Sequence, residues 1–260
     1  MSSFATPAIL LRRHDFGDYD LVLTFFTLHN GKLSTIAKAA KKSSKRFSGV
    51  LELFSVIDIV CSIGRRSRLP ILTEATLRQP FSKIRASIKR TAYASYWSEL
   101  INFWMERNQQ QIQLYRLLHH VLEGLDSGLV SEEAVSILFQ MKFMTIAGLI
   151  PNLKSCCICQ TETDRMGAAK AGFDLKKGGI VCAACAAGTR RKQHLSMATI
   201  KQLQWIESRD LNRASRIKFN GQTLKEGLDF LEAFVPYHLG KKPRSLTFLK
   251  KIREPDLAPR

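Results

Sequence analysis

Cysteine stands at positions 61, 156, 157, 159, 182 and 185 of this sequence, and all but the first crowd into one stretch. Two pairs share a two-residue gap, Cys156-x-x-Cys159 and Cys182-x-x-Cys185. Such a gap forms a tight knuckle that presents both thiolates to one ion, and two knuckles complete a tetrahedron. Four thiolates leave no open coordination position, so the chemistry expected is structural Zn2+ binding, not catalysis. The 22 residues between the pairs run slightly beyond the usual spacing, as a modest insertion would give. Three other readings stay open: Cys157 replacing a neighbour as ligand, a redox-active cluster, or a vestigial site held by packing alone. Cys61 lies in an apolar strand and reads as a small buried hydrophobe. The N-terminus does not read as a basic-then-apolar export signal, so a cytoplasmic chain is expected, where reducing conditions argue against structural disulfides.

A second set of residues offers electrostatics. Lys38, Lys41, Lys42, Lys45 and Arg46 are interleaved with Ser43, Ser44 and Ser48, and Arg65, Arg66 and Arg68 follow in a later turn. Flexible cations among hydroxyls suit phosphate oxygens, which give affinity without sequence information. Neutralising roughly six phosphates of a single strand would give a log K against log salt slope near −4. Phe47 can stack on a base or anchor its loop to the core, and the anchor is preferred. Arg190, Arg191 and Lys192 extend the same character past the second cysteine pair.

The whole chain agrees with that bias. Its 260 residues carry 40 Lys and Arg against 22 Asp and Glu, a formal +18. Residues 1–80 hold 12 basic and 6 acidic side chains, residues 81–150 hold 7 and 6, and residues 151–260 hold 21 and 10. Two basic ends flank a near-neutral middle. A polyanion, nucleic acid or an anionic surface, is the partner this implies. With 45% hydrophobic residues the chain can build a core, which excludes wholesale disorder. No apolar run is long enough to span a bilayer.

These residues need elements to position them. Residues 7–78 read as β: Ala8 to Leu11, Asp20 to Thr27, Lys32 to Lys38, Val50 to Ser62 and Ile71 to Leu77. His29-Asn30-Gly31 provides the turn between the second and third. About five strands at this spacing suggest a small closed barrel. From Phe81 the apolar period becomes helical. Ile88, Ala92, Tyr93, Tyr96, Trp97, Leu100, Ile101 and Trp104 share one face, and Leu114, Leu118, Val121, Leu122 and Leu125 another. A third helix starts at the Ser131 cap with Glu132 and Glu133, and stops at Gly148 and Pro151. Residues 152–190 lose the period, with a hairpin turn at Gly178-Gly179. Leu195 to Ile206 forms a short helix, and Leu224 to Leu239 another ended by Gly240.

The reading is an α+β multidomain protein. An N-terminal OB-fold β-barrel (1–80) leads to a helical bundle (81–151) with an inserted four-cysteine zinc-ribbon-like region (152–194). C-terminal helices (195–253) pack on the helical domain, and a mobile tail (254–260) ends the chain.

Enzyme motifs are missing. Gly31-Lys32-Leu33-Ser34-Thr35 lacks the upstream glycine of a phosphate-binding loop and sits on a hairpin. There is no Gly-x-Ser-x-Gly elbow and no His-Glu-x-x-His. His119 and His120 are adjacent, about 100° apart on a helix, and make a poor ligand pair. The chain reads as a binder. A DNA-binding protein and an RNA-binding zinc-ribbon protein of RNA processing or translation both fit, since nothing here reads a 2′-hydroxyl. A metal-dependent hydrolase fits poorly with a closed thiolate shell.

Three stretches together resemble the bacterial RecO family. They are Ala8-Ile9-Leu10-Leu11-Arg12-Arg13-His14-Asp15-Phe16-Gly17-Asp18-Tyr19-Asp20 with Gly31-Lys32-Leu33 and Ile36-Ala37-Lys38; Phe139-Gln140-Met141-Lys142-Phe143 with Ala147 to Leu153, running into Cys156; and Tyr237-His238-Leu239-Gly240 with Arg244-Ser245-Leu246. They cover nearly the whole chain in order. The resemblance implies an OB-fold, a helical domain and a zinc region. It also implies a recombination mediator that binds single- and double-stranded DNA, anneals complementary strands and helps load recombinase on gapped DNA. Its partners would be RecR, the acidic C-terminal tail of single-strand-binding protein and, indirectly, RecA, with a cytoplasmic, nucleoid-associated location. Where the family commonly has glycine after the basic residue at the strand end, this chain has Ala39.

Overall fold

A computed structural model describes residues 2–42, 46–64, 69–167, 169–186 and 194–253. The chain divides into two compact units. One takes Met1–Gly128 with the segment from Pro243 onward, the other Leu129–Lys242.

The first unit opens with a closed five-stranded barrel. It comprises β1 (Ser2–Phe16), β2 (Asp20–Thr27), β3 (Gly31–Ala37), β4 (Val56–Ile63) and β5 (Ile71–Gln79), in the order β1-β2-β3-β5-β4. β1 pairs with both β2 and β4, and a parallel β3–β5 contact at Ile36 and Ile71 completes the ring. This is the OB arrangement expected from the strand spacing. The period-two alternation of β2 and β3 sends Leu21, Leu23, Phe25, Leu33 and Ala37 inward, where they meet Leu10, Ile57, Ile59 and Leu72. Truncating a ring as buried as Phe25 would cost about 3–5 kcal/mol. Cys61 is 0% exposed in this core, and burial pushes its thiol up to about 12. It is the packed hydrophobe expected.

β1 and β4 depart furthest from the sequence reading. β1 runs through both sides of the Ala8 to Leu11 core and irregularly shifts register between Leu10 and Arg12, which lets one strand serve two neighbours. β4 begins at Val56, not Val50. Phe54 takes φ +69, which breaks the extended run. The carbonyls of this segment find side chains instead: Arg13 donates to Leu51 O at 3.1 Å and Arg85 to Leu53 O at 3.1 Å. Leu51 and Phe54 are still buried, so apolar character survived while strand geometry did not.

Short α1 (Ser82–Arg85), α2 (Ile88–Trp104) and α3 (Ile112–Ser127) complete the forward part of this unit. Tyr93, Tyr96, Trp97, Leu100 and Ile101 of α2 are buried as the period predicts. Ile88, by contrast, is 67% exposed, because it occupies the first helical position after the Ser87 cap. The last helix, α9 (Arg244–Arg253), packs along α2. The Glu99 carboxylate accepts the N–H groups of Arg244 at 3.3 Å and Ser245 at 2.9 Å, and also the Ser245 hydroxyl. An acid at exposed helix N–H groups satisfies donors that have no intrahelical partner.

The second unit starts with α4 (Glu132–Ile146), capped by Ser131, which accepts Ala134 N at 3.2 Å. A three-stranded sheet follows, from β6 (Lys170–Asp174), β7 (Gly179–Val181) and β8 (His194–Ser196), in the order β7-β6-β8; α5 (Ala183–Ala186) lies between β7 and β8. Leu195 belongs to β8, so α6 (Met197–Ser208) starts later than the sequence suggested. Short α7 (Leu211–Ala214) and long α8 (Gly221–Leu239) end the unit, with Gly240 at φ +65 as the stop. α4 packs on α6 and α8, and Phe173 of β6 sits edge-on to Phe230 of α8 at 4.5 Å. No helix among the described residues is long and apolar enough to cross a membrane.

Candidate metal centre and nucleic-acid interface

The thiol cluster is assembled from a knuckle and a strand end. Cys156 N donates to Thr161 O at 2.9 Å and Gln160 N to Cys156 O at 3.0 Å, closing a turn in which Gln160 takes φ +61. Cys157 N donates to Ile180 O at 2.8 Å and Ile180 N to Asn152 O at 2.9 Å, so the knuckle is pinned to β7. β7 then delivers Cys182, and α5 delivers Cys185. The sulfurs of Cys156, Cys159, Cys182 and Cys185 all lie within 4.8 Å of one another, and this group can hold a metal ion. Tetrahedral Zn–S bonds of about 2.3 Å set sulfurs roughly 3.8 Å apart. Cys159 and Cys182 stand at 3.6 Å. The donor set therefore fits one closed-shell ion.

Cys157 is outside this group: its Sγ lies 3.9 Å from Gly179 O. Of the five neighbouring cysteines, the turn therefore gathers only Cys156, Cys159, Cys182 and Cys185 into one group. Cys156, Cys159 and Cys185 are electrically unlike. A hydrogen bond from the Thr161 hydroxyl pulls Cys159 down to about 6, while hydrogen bonding to Cys159 and then Cys182 pushes Cys185 up to about 12. Burial raises Cys156, but N–H groups of Cys159, Cys182 and Ile158 outweigh it and hold the thiol low. Preformed N–H···S contacts such as Cys182 N to Cys156 Sγ at 3.4 Å favour thiolates, the form a metal requires.

The basic loop leaves the barrel at the end of β3. Lys38, Lys41, Lys42 and Arg46 are exposed, but each of the last three is held. Lys41 pairs with Asp15 at 2.9 Å, Lys42 Nζ lies 3.5 Å over the Tyr19 ring, and Arg46 donates to Lys38 O at 2.7 Å. Phe47 is 4% exposed and joins the barrel core, so it anchors the loop; the Arg46 guanidinium covers its ring at 4.6 Å. Lys45, Arg65, Arg66 and Arg68 lie outside the described residues, as do Arg190, Arg191 and Lys192.

Sequence reasoning overlooked what the β1–β2 turn contributes. Tyr19 is 47% exposed beside Lys42, and Phe16 is also exposed. Lys41 N donates to Tyr19 O at 3.0 Å, which fastens this turn to the basic loop. The Tyr19 ring thus shares a surface with the cations of the loop. The signal was present in Phe16-Gly17-Asp18-Tyr19, but only the closed barrel brings that turn beside residues 38–46.

An OB-type barrel with a cationic loop, followed by helices and a four-thiol cluster, defines an α+β protein of the OB-barrel class. Residues 1–81 match the family described as Recombination protein O N terminal, and residues 85–247 match Recombination protein O C terminal. The chain belongs to the RecO family of DNA repair proteins. It is 44% identical over 258 residues to the DNA repair protein RecO of Desulfosudis oleivorans, spanning 97% of this chain and 99% of that one. The RecO of Desulfatibacillum aliphaticivorans is 43% identical over 254 residues, with 97% and 98% covered. That of Syntrophus aciditrophicus is 31% identical over 250 residues, with 95% of each chain covered. Its role is in DNA repair by recombination.

Proposed function

We propose that this protein is a recombination mediator that binds single- and double-stranded DNA, anneals complementary strands and helps load recombinase on gapped DNA. The observation that carries the reading is the cationic, aromatic-flanked loop on the barrel. Lys38, Lys41, Lys42 and Arg46, with Lys45, Arg65, Arg66 and Arg68, take phosphates, and Tyr19 offers a face to an unpaired base. Charge neutralisation is the mechanism: a strand held on this face is less repelled by its complement. No nucleotide hydrolysis is needed.

Zn2+ is the metal proposed for Cys156, Cys159, Cys182 and Cys185. Four thiolates close the shell, so the ion supplies folding free energy to the β6–β8 region and no reactive position. The partners proposed are RecR, the acidic tail of single-strand-binding protein and, through them, RecA, in the cytoplasm at the nucleoid. The test is annealing of complementary oligonucleotides by the purified protein, with and without single-strand-binding protein. Acceleration in both conditions is expected; a rate equal to spontaneous annealing in both refutes the reading.

A further inference from the structure

The second unit carries a groove of about 740 Å3 formed by α6, α7 and the segment after it. Lys201, Trp205, Arg209, Arg213, Arg216 and Ile217 line it. Trp205 is 44% exposed, a large indole area to leave in water. The Arg209 guanidinium lies over its ring at 4.5 Å. Arg213 reaches Asp210 at 3.4 Å and Lys201 reaches Asp164 at 3.5 Å, through exposed pairs that water screens. Among residues 201–218 five side chains are basic and two acidic.

We infer that this groove is a second subsite for single-stranded nucleic acid, in which a base stacks on Trp205 and Arg213, Arg216 and Lys201 take the flanking phosphates. The inference rests on the DNA-binding reading above and adds a site apart from the barrel loop. An indole beside guanidinium groups is the combination by which single strands are held without sequence preference. An acidic peptide would match the charge equally well, but a peptide anchor needs an apolar pocket to bury it. Here Trp205 and Ile217 are the only apolar side chains in the lining, which is completed by Gln202 and the four cations Lys201, Arg209, Arg213 and Arg216. A stacked base asks for no more than the indole plate.

The test uses the whole protein and an oligo(dT) of about 16 nucleotides, a length within the range one such site covers. Binding is read by anisotropy of a labelled strand and by tryptophan fluorescence. Trp97 is fully buried and Trp104 half-buried, so Trp205 is the most exposed of the three reporters. Quenching on binding is expected, lost in Trp205→Phe. Trp205→Ala should weaken binding by about fivefold or more. The double variant Arg213→Gln, Arg216→Gln should flatten the salt slope by about 1.4, two single-strand phosphate contacts. Strand binding without quenching, and with wild-type affinity in these variants, overturns the subsite and leaves the barrel reading standing. Quenching by an aspartate-rich peptide ending in Phe, but not by the oligonucleotide, assigns the groove to protein and also overturns it. Absence of any strand binding removes the DNA-binding reading, and the subsite with it.

Discussion

The Asp20 carboxylate accepts the backbone N–H of Ala39 at 2.7 Å, tying the start of β2 to the residue where the basic loop leaves β3. Ala39 is held there at φ +53, in the left-handed region that favours glycine. An alanine thus keeps here the backbone shape that a glycine takes without strain. Ala39→Gly should raise stability by about 1 kcal/mol, and Ala39→Val should lower it, in urea unfolding. A destabilised glycine variant would contradict this account of the loop.

Gly31 makes the opposite case. It takes φ +64 at the β2–β3 turn, and a Cβ there would stand 1.9 Å from the backbone oxygen of Gln109. Thr27 reinforces the turn by donating to Gly31 O at 2.9 Å and accepting Asn30 N at 2.9 Å. Neither backbone can yield cheaply. Gly31→Ala should destabilise by about 3 kcal/mol or more, the range of a special-conformation loss combined with overpacking. Urea unfolding of the purified variant checks it.

How far the sequence spoke depended on whether the signal was local. Alternation from Asp20 to Thr27 and the Asn30-Gly31 turn defined β2 and β3 because side-chain period and turn chemistry act over a few residues. Val50 to Ser55 misled because an apolar run carries burial but no backbone angle, and Phe54 turns left-handed within it. The cysteine spacing identified the four clustered thiols, yet the exclusion of Cys157 needed its pinning to Ile180. The cations of the basic loop were legible. Their tethers, Asp15 to Lys41 and Tyr19 to Lys42, were not, since only barrel closure brings the two turns together. Trp205 gave no sequence signal beyond one aromatic on an amphipathic helix.

The thiol centre predicts a contrast between neighbours. Cys182→Ser should abolish tight zinc binding and lower the unfolding midpoint, whereas Cys157→Ser should retain about one equivalent of metal. Atomic absorption after dialysis reads both. Loss of metal in the Cys157 variant would reassign the ligand set.

Glu226 predicts a pH dependence. Burial raises its carboxyl, but donors from Thr199, Gln222 and Ser196 outweigh this and hold it at about 2, below the ordinary 4.5. Thr199 and Ser196 hydroxyls reach it at 2.6 and 2.7 Å. A folded pKa below the unfolded one contributes stability above pH 4.5 that is lost as pH falls toward 2. Glu226→Gln should therefore be less stable than the wild type at neutral pH, with the gap closing across that window. Urea titrations at several pH values measure it; a constant gap would contradict the network's role.

The central claim is that the cationic loop on the barrel grips phosphates, and the salt dependence of single-strand binding tests it most directly. In the triple variant Lys41→Ala, Lys42→Ala, Arg46→Ala the slope of log K against log salt should become shallower by about 2, from three lost contacts. Affinity at low salt should fall with it. An unchanged slope and affinity in a folded variant would contradict the claim.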